Sequence, residues 1–126
     1  MSFTYNYAQT APPAPFVLVI LSRPDGSNAT GDLPAQVDTG ASRTVIPLDV
    51  ATSLALREVS RARFGGLGGV ETELPIYEVQ LVIRDLAPLT LEVAASEGEP
   101  HVLLGRDALN RYTIVLDGPN GKLVIG

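Results

Sequence analysis

The chain has 126 residues, 45% hydrophobic and 18% charged, which suits one domain with a buried core rather than a disordered segment. Fourteen acidic residues against nine basic ones leave a net charge of −5, with no window rich in Lys or Arg, so the basic footprint of a nucleic-acid groove is missing. The absence of cysteine removes disulfides, Cys-based zinc sites and thiol nucleophiles.

The first fifteen residues, MSFTYNYAQTAPPAP, hold three of the ten prolines and no apolar periodicity. They read as an extended arm over 1–15, ahead of a folded domain over 16–126. FVLVILS (16–22) is a buried strand. Its apolar run of six residues is too short for a signal peptide or a membrane span, so a soluble cytoplasmic protein with no membrane contact is expected. RPDGSNATGD is a turn region, and its Asn28 sequon is taken as chance without a secretion signal. LPAQV (33–37) is a strand that runs straight into Asp38-Thr39-Gly40. TVIP (44–47) leaves that loop, and LDVATSLAL (48–56) predicts a helix of about two turns.

The segment REVSRARFGGLGGVETELPIY (57–77) carries four glycines in five residues, at 65, 66, 68 and 69. Side-chain sorting predicts a hairpin centred on Leu67. Arg63 then faces Glu71 and Arg61 faces Glu73, while Phe64 meets Val70 and Ala62 meets Thr72. The glycines permit backbone angles closed to other residues and predict a mobile tip. The apolar phase switches from even positions (Val70, Thr72, Leu74, Ile76) to odd ones (Val79, Leu81, Ile83), which predicts a bulge or bend near Tyr77-Glu78. Strands follow at LTLEV (89–93), HVLL (101–104), YTIVL (112–116) and KLVI (122–125). Asp117-Gly118-Pro119-Asn120-Gly121 is the turn between the last two. RDALNR (106–111) predicts a helical turn. The architecture is mainly β with one or two short helices.

Taken alone, Asp-Thr-Gly is a weak signal, since an Asp in a loop commonly closes an Asx-turn. The ordered set around it is more specific. VDTGAS lies between two apolar strands, a glycine-tipped hairpin follows, and LLGRDAL repeats the pattern of an apolar run ending in glycine. This set resembles the retropepsin-like aspartic proteases, from about Phe16 to the C-terminus, and IPLDVATSLAL with YTIVLDGPNGKLVI resembles the bacterial members more than the viral ones.

The resemblance implies a single-domain acid-protease fold, a closed barrel-like β lobe carrying a flap hairpin. It implies that Asp38 is catalytic and that the Thr39 hydroxyl is buried where it braces two catalytic loops. Gly40 would admit close approach of a substrate, with Ala41 the small residue beside the reacting carboxylates. Phe64, Gly65, Gly66, Leu67, Gly68, Gly69 and Val70 would form the flap over a bound peptide. Gly105, Arg106 and Asp107 would be a structural second motif. In the family that arginine pairs with an aspartate two residues after the catalytic glycine. Ser42 stands there in this chain, so Arg106 needs another partner, either Asp107 or a second chain.

One chain carries one Asp-Thr-Gly and is about half the length of a two-lobed enzyme. Carboxylate hydrolysis of a peptide bond needs two carboxyl groups, one as base and one as acid. The second must come from another Asp38, which predicts a homodimer acting on a peptide or protein substrate, with no metal and no cofactor. In the family, strands from both chain ends interleave between the two chains, and KLVIG is the candidate here. The alternative is a non-catalytic dimeric peptide-binding or scaffold module of the same fold. The intact Asp-Thr-Gly argues against it and Ser42 argues for it.

Other chemistries find little footing. GGLGGVE lacks the last glycine of a dinucleotide fingerprint, because Glu71 stands there, and no Gly-Lys-Ser/Thr phosphate loop occurs. His101 has no Ser or Cys partner pattern and reads as a strand residue. Asp32, Asp49, Asp85 and Asp117 sit in turns or at helix starts, where Asp caps backbone N–H groups. No carboxylate spacing points to a metal. Arg61, Arg63, Glu71 and Glu73 read as a solvated hairpin face.

Overall fold

The computed structural model describes residues 1–5, 10–65 and 67–126, with Leu67 represented by its backbone alone. Gly66 of the expected flap tip and residues 6–9 of the expected arm lie outside the described residues. Ten strands and two short helices are seen among them. These are β1 (Ser2–Thr4), β2 (Phe16–Ser22), β3 (Leu33–Val37), β4 (Val45–Pro47), α1 (Leu48–Ser53), β5 (Glu58–Gly65), β6 (Glu71–Ile83), β7 (Leu89–Ser96), β8 (Val102–Leu104), α2 (Arg106–Leu109), β9 (Ile114–Asp117) and β10 (Lys122–Ile125).

The apolar runs form one seven-stranded sheet in the order β2-β3-β8-β4-β7-β6-β5, and β2 also pairs with β6, which closes six of the strands into a ring. Long β6 makes the closure possible. Its first half pairs with β5, and its second half pairs with β7 and, at Gln80–Ile83, with β2. The apolar phase switch marks the crossover. Ile76 is buried, then Val79, Leu81 and Ile83, so the strand turns its apolar side into the ring between positions 76 and 79. The irregularity itself falls on the opposing strand. Glu58 pairs with Tyr77 and Ser60 with Ile76, leaving Val59 as the extra residue. The core inside the ring includes Val19, Leu21, Ile46, Val79, Leu81, Ile83, Val93 and Leu104, all essentially inaccessible to solvent. Each such burial contributes about 1.5–3 kcal/mol.

The predicted helix over 48–56 ends early, after Ser53. Ala55 takes a positive φ of 53° and the Leu56 N–H donates back to Ala51 O at 3.1 Å, so the last three residues unwind into a cap.

The hairpin register differs from the expected one by two residues. Arg63 pairs with Glu73 and Phe64 with Thr72, leaving five residues between Gly65 and Glu71. Within them a 3-10 turn covers Leu67–Gly69, with Gly68 and Gly69 at φ of 82° and 77°. A shift of two leaves every side chain on its own face, so sorting by face cannot tell the registers apart. Both expected ion pairs still form, but diagonally: Arg61 reaches Glu73 at 2.6 Å and Arg63 reaches Glu71 at 3.8 Å.

A second sheet, β1-β10-β9, joins the two ends of the chain. Part of the arm is therefore a docked strand. Phe3 pairs opposite Leu123, and the Met1 ammonium donates to Ile125 O at 2.8 Å. Leu123 and Ile125 are fully buried, and the Asp117 carboxylate closes the β9–β10 turn by accepting from the Asn120 amide group at 2.8 Å. Strand β10 thus has both edges occupied by its own chain.

Candidate active site

Strands β3 and β4 lead into and out of the loop 38–44, but they do not pair with each other. Strand β8 lies between them, parallel to β3 and antiparallel to β4. The end of β8 therefore arrives directly beneath the loop and carries Gly105-Arg106-Asp107 to it. Two motifs sixty-odd residues apart in sequence become one unit.

The loop is held from several directions. The Asp38 N–H donates to Leu104 O at 3.0 Å, and the Gly40 N–H donates to Asp38 Oδ1 at 3.0 Å. That second bond is an Asx-turn, so the plain reading of Asp38 and the chemical one describe the same geometry: the turn orients the carboxylate. A Cβ on Gly40 would lie 3.2 Å from that carboxylate oxygen. Asp38 is half-buried, while Thr39 and Gly40 are exposed on the single chain. The Thr39 hydroxyl is thus not buried within one chain, as the resemblance had implied for the complete site.

Within the chain Arg106 has a partner, and it is not Asp107. Its Nη1 donates to Thr39 O at 2.8 Å, and its backbone N–H donates to Ala41 O at 2.9 Å. The guanidinium clamps the loop through a carbonyl, so Ser42 need not supply a carboxylate for it. Gly105 is required by space. A Cβ there would stand 2.6 Å from the Arg43 carbonyl carbon, a contact with backbone that no side-chain motion relieves.

Asp107 does not pair with Arg106 either. Its two oxygens accept from the Thr44 N–H at 3.0 Å each, and Oδ1 also accepts from the Thr44 hydroxyl at 2.7 Å and from the Ala108 N–H at 2.9 Å. The same Thr44 hydroxyl accepts from the Gly105 N–H at 3.1 Å. Thr44 is fully buried and joins the two motifs. Sequence reasoning missed it, reading TVIP only as the start of a strand. The available signal was a hydroxyl opening an otherwise apolar strand, which must find partners once buried.

The glycine-tipped hairpin faces this loop. A cleft of about 480 Å3 is lined by Gly40 to Arg43 and Val45 on one side and by Ala62 to Gly65 of β5 on the other. Phe64 and Gly65 therefore meet the loop across open space, whereas Gly68, Gly69 and Val70 lie further out and do not line it. Val70 is 68% exposed. A larger groove of about 790 Å3 lies elsewhere, between α1 and the loop before β8, with Leu48, Val50, Glu97 and His101 among its walls. Asp38 lines neither space, but the smaller cleft is bordered by Gly40 and Ala41 of the Asp38 loop and is the candidate site. His101 precedes β8, within 3.3 Å of the Gln36 side-chain oxygen and edge-on to Phe16. Among the described residues no three His, Cys, Asp or Glu side chains gather in a metal-binding group, and no helix is long and apolar enough to cross a membrane.

Known proteins share this fold. A family model described as "gag-polyprotein putative aspartyl protease" matches residues 28–111. No curated protein sequence matches the chain. Among solved structures, a retropepsin-like aspartic protease from Rickettsia conorii is 15% identical, with a TM-score of 0.68 over 99% of this chain and 88% of that one. The EIAV protease in complex with an inhibitor is 22% identical, with a TM-score of 0.62 over 86% of this chain and 93% of that one. The simian foamy virus protease is 19% identical, with a TM-score of 0.56 over 76% and 92%. The family match spans the Asp38 loop, the hairpin and the Gly105-Arg106-Asp107 motif beneath the loop, and with it the chain takes its place in the retropepsin-like aspartic protease family.

Proposed function

We propose that this chain is one half of an aspartic endopeptidase, in which Asp38 of one copy meets Asp38 of a second across a two-fold axis. The observation that carries this is the placement of the Asp-Thr-Gly loop. Asp38 is oriented by Gly40 and held from beneath by Arg106 and Leu104, yet Thr39 and Gly40 stand exposed, as a surface awaiting its twin would. A two-fold contact brings identical loops together without further sequence.

In the paired site one carboxylate takes a proton from water as the oxygen attacks the peptide carbonyl carbon. The other, protonated, donates to the carbonyl oxygen. Collapse of the tetrahedral intermediate breaks the C–N bond, and the leaving nitrogen takes up the proton that the first carboxylate had taken from water. Residues 64–70 act as the lid that excludes bulk water from this step.

The terminal sheet supplies the interface. Its outer strands are β1 and β9, and Val115, Leu116 and Val124 stand 56%, 49% and 48% exposed on it. With β10 enclosed by its own chain, the outer strands are what a second copy can pair with or exchange.

Asp38→Asn removes the acid–base group with little change in volume. It is expected to abolish peptide cleavage while the circular dichroism spectrum and the sedimentation behaviour stay those of the parent. Mixing parent with excess Asp38→Asn protein is expected to suppress activity, since mixed dimers hold one carboxylate. A variant that cleaves as fast as the parent rules out the dyad, and a fully active monomer in sedimentation rules out the paired site. A parent that binds peptides without cleaving them is the binding-module alternative.

A further inference from the structure

The groove of about 790 Å3 beside α1 combines an apolar floor with an acidic rim. Leu33 and Pro34 of β3 and Leu48 and Val50 of α1 supply the floor. All four are half-buried, so part of each apolar side chain is left uncovered. Asp49, Glu97 and Glu99 also border the groove, whereas no Lys or Arg does. These three carboxylates have no counterion. Among the described residues the ion pairs engage Asp32, Glu58, Glu71 and Glu73, none of which lines the groove.

The acidic wall is held in place. The Glu99 N–H donates to Ser96 O at 3.4 Å and the Gly98 N–H to the Ser96 hydroxyl at 3.3 Å, which fixes the turn carrying Glu97 and Glu99. On the opposite wall Asp49 Oδ1 accepts from the Val50 N–H at 3.0 Å, a bond that leaves most of the carboxylate's acceptor capacity open. The groove is also continuous with the cleft. Val45 lines the cleft and Pro47 the groove, at the two ends of β4. Ile46 between them points into the core, so Val45 and Pro47 project from the same face of the strand. Two residues of extended chain span about 7 Å, so a peptide seated in the cleft enters the groove within a few residues.

We propose that this groove receives a Lys- or Arg-bearing stretch of the substrate, beyond the residues seated in the cleft. The aliphatic stem of either side chain lies along apolar surface while its charged end meets carboxylate oxygens, so one residue type satisfies both the floor and the rim. An acidic stretch is repelled from the same place, the more so on a chain of net charge −5. The proposal rests on the peptide-cleavage reading above and names a feature of the substrate. In a two-fold dimer the groove occurs twice, so a basic preference is expected once toward each end of the peptide.

The test uses fluorescein-labelled peptide pools of about twelve residues, long enough at about 3.3 Å per residue to run from the cleft through the groove. The pools are degenerate except for Lys, Gln or Glu fixed at one position in turn. Cleavage is measured with the parent, and binding by fluorescence anisotropy with the Asp38→Asn protein. At one position toward each end the Lys pool is expected to exceed the Gln pool by about tenfold, the size of one charge-assisted hydrogen bond, with Glu lowest. Glu97→Lys, and separately Glu99→Lys, are expected to turn that ratio toward Glu. Glu92→Lys makes the same charge change at an exposed site outside the groove and is expected to leave the ratio in place. Because the readout is a ratio between pools, a general loss of activity does not mimic it. Equal use of the pools at every position, a ratio unmoved by both groove substitutions, or one moved as far by Glu92→Lys overturns the docking groove while leaving proteolysis intact. Lys-selective binding without any cleavage supports the groove and overturns proteolysis. Binding and cleavage of no pool overturn both.

Discussion

The loop at 38–44 borders the cleft on one side and the hairpin, through Phe64 and Gly65, on the other, and both carry glycine, yet they are built on opposite principles. The loop is constrained by contacts from a distant segment. Arg106 holds its carbonyl, Asp107 and Thr44 form a buried hydrogen-bonded node behind it, and Gly105 lets the two backbones touch. The tip has no such backing. A Cβ added at Gly65, Gly68 or Gly69 would meet nothing within 4 Å, and the ion pairs below it are exposed. Glycine serves close approach in one case and a positive φ in the other. A reacting carboxylate needs its position over-determined, whereas a lid needs freedom to open.

Gly105→Ala tests the contrast most severely. With its Cβ 2.6 Å from the Arg43 backbone, the strands that straddle β8 must part, and a loss of about 3 kcal/mol is expected. Urea denaturation at unchanged m-value reads it. A variant as stable as the parent means the loop and the second motif are not in contact.

Asp107→Asn comes next. It keeps one acceptor oxygen but replaces the other, and the Thr44 bonds lose their charge assistance, with an expected loss of about 2 kcal/mol. The amide hydrogen of Thr44 should also exchange faster. If its protection is unchanged, the node is not what holds the loop.

Gly68→Ala is the counterpart on the hairpin, and the smallest effect. The new methyl meets open space, so the change acts only through a φ of 82°, about 1 kcal/mol in a rigid segment and less in one that can relax. The denaturation midpoint should barely move while hydrogen exchange at 67–70 changes. A loss equal to that of Gly105→Ala would show that the tip is as constrained as the loop.

Much of this was legible along the chain, because alternation and turn chemistry are local. The strands at 16–22, 33–37 and 122–125, the loop at Asp38, the phase switch in β6 and the Asp117–Gly121 turn all follow from the order of residues. Three features did not, and each depends on groups far apart in sequence. The hairpin register could slip by two because sheet periodicity is two, and only the turn adopted by Leu67–Gly69 chose between the alternatives. The docking of Ser2–Thr4 on β10 has no signal in an arm without apolar alternation; it is set by Phe3 pairing opposite Leu123 across the length of the chain. Arg106 and Thr44 found their partners only because β8 lies between β3 and β4. Residue order thus determined which segments extend, turn and carry chemistry. Which backbone atoms they meet was decided by strand order in the closed sheet, since a hydrogen bond depends on distances of about 3 Å in space and not on separation along the chain.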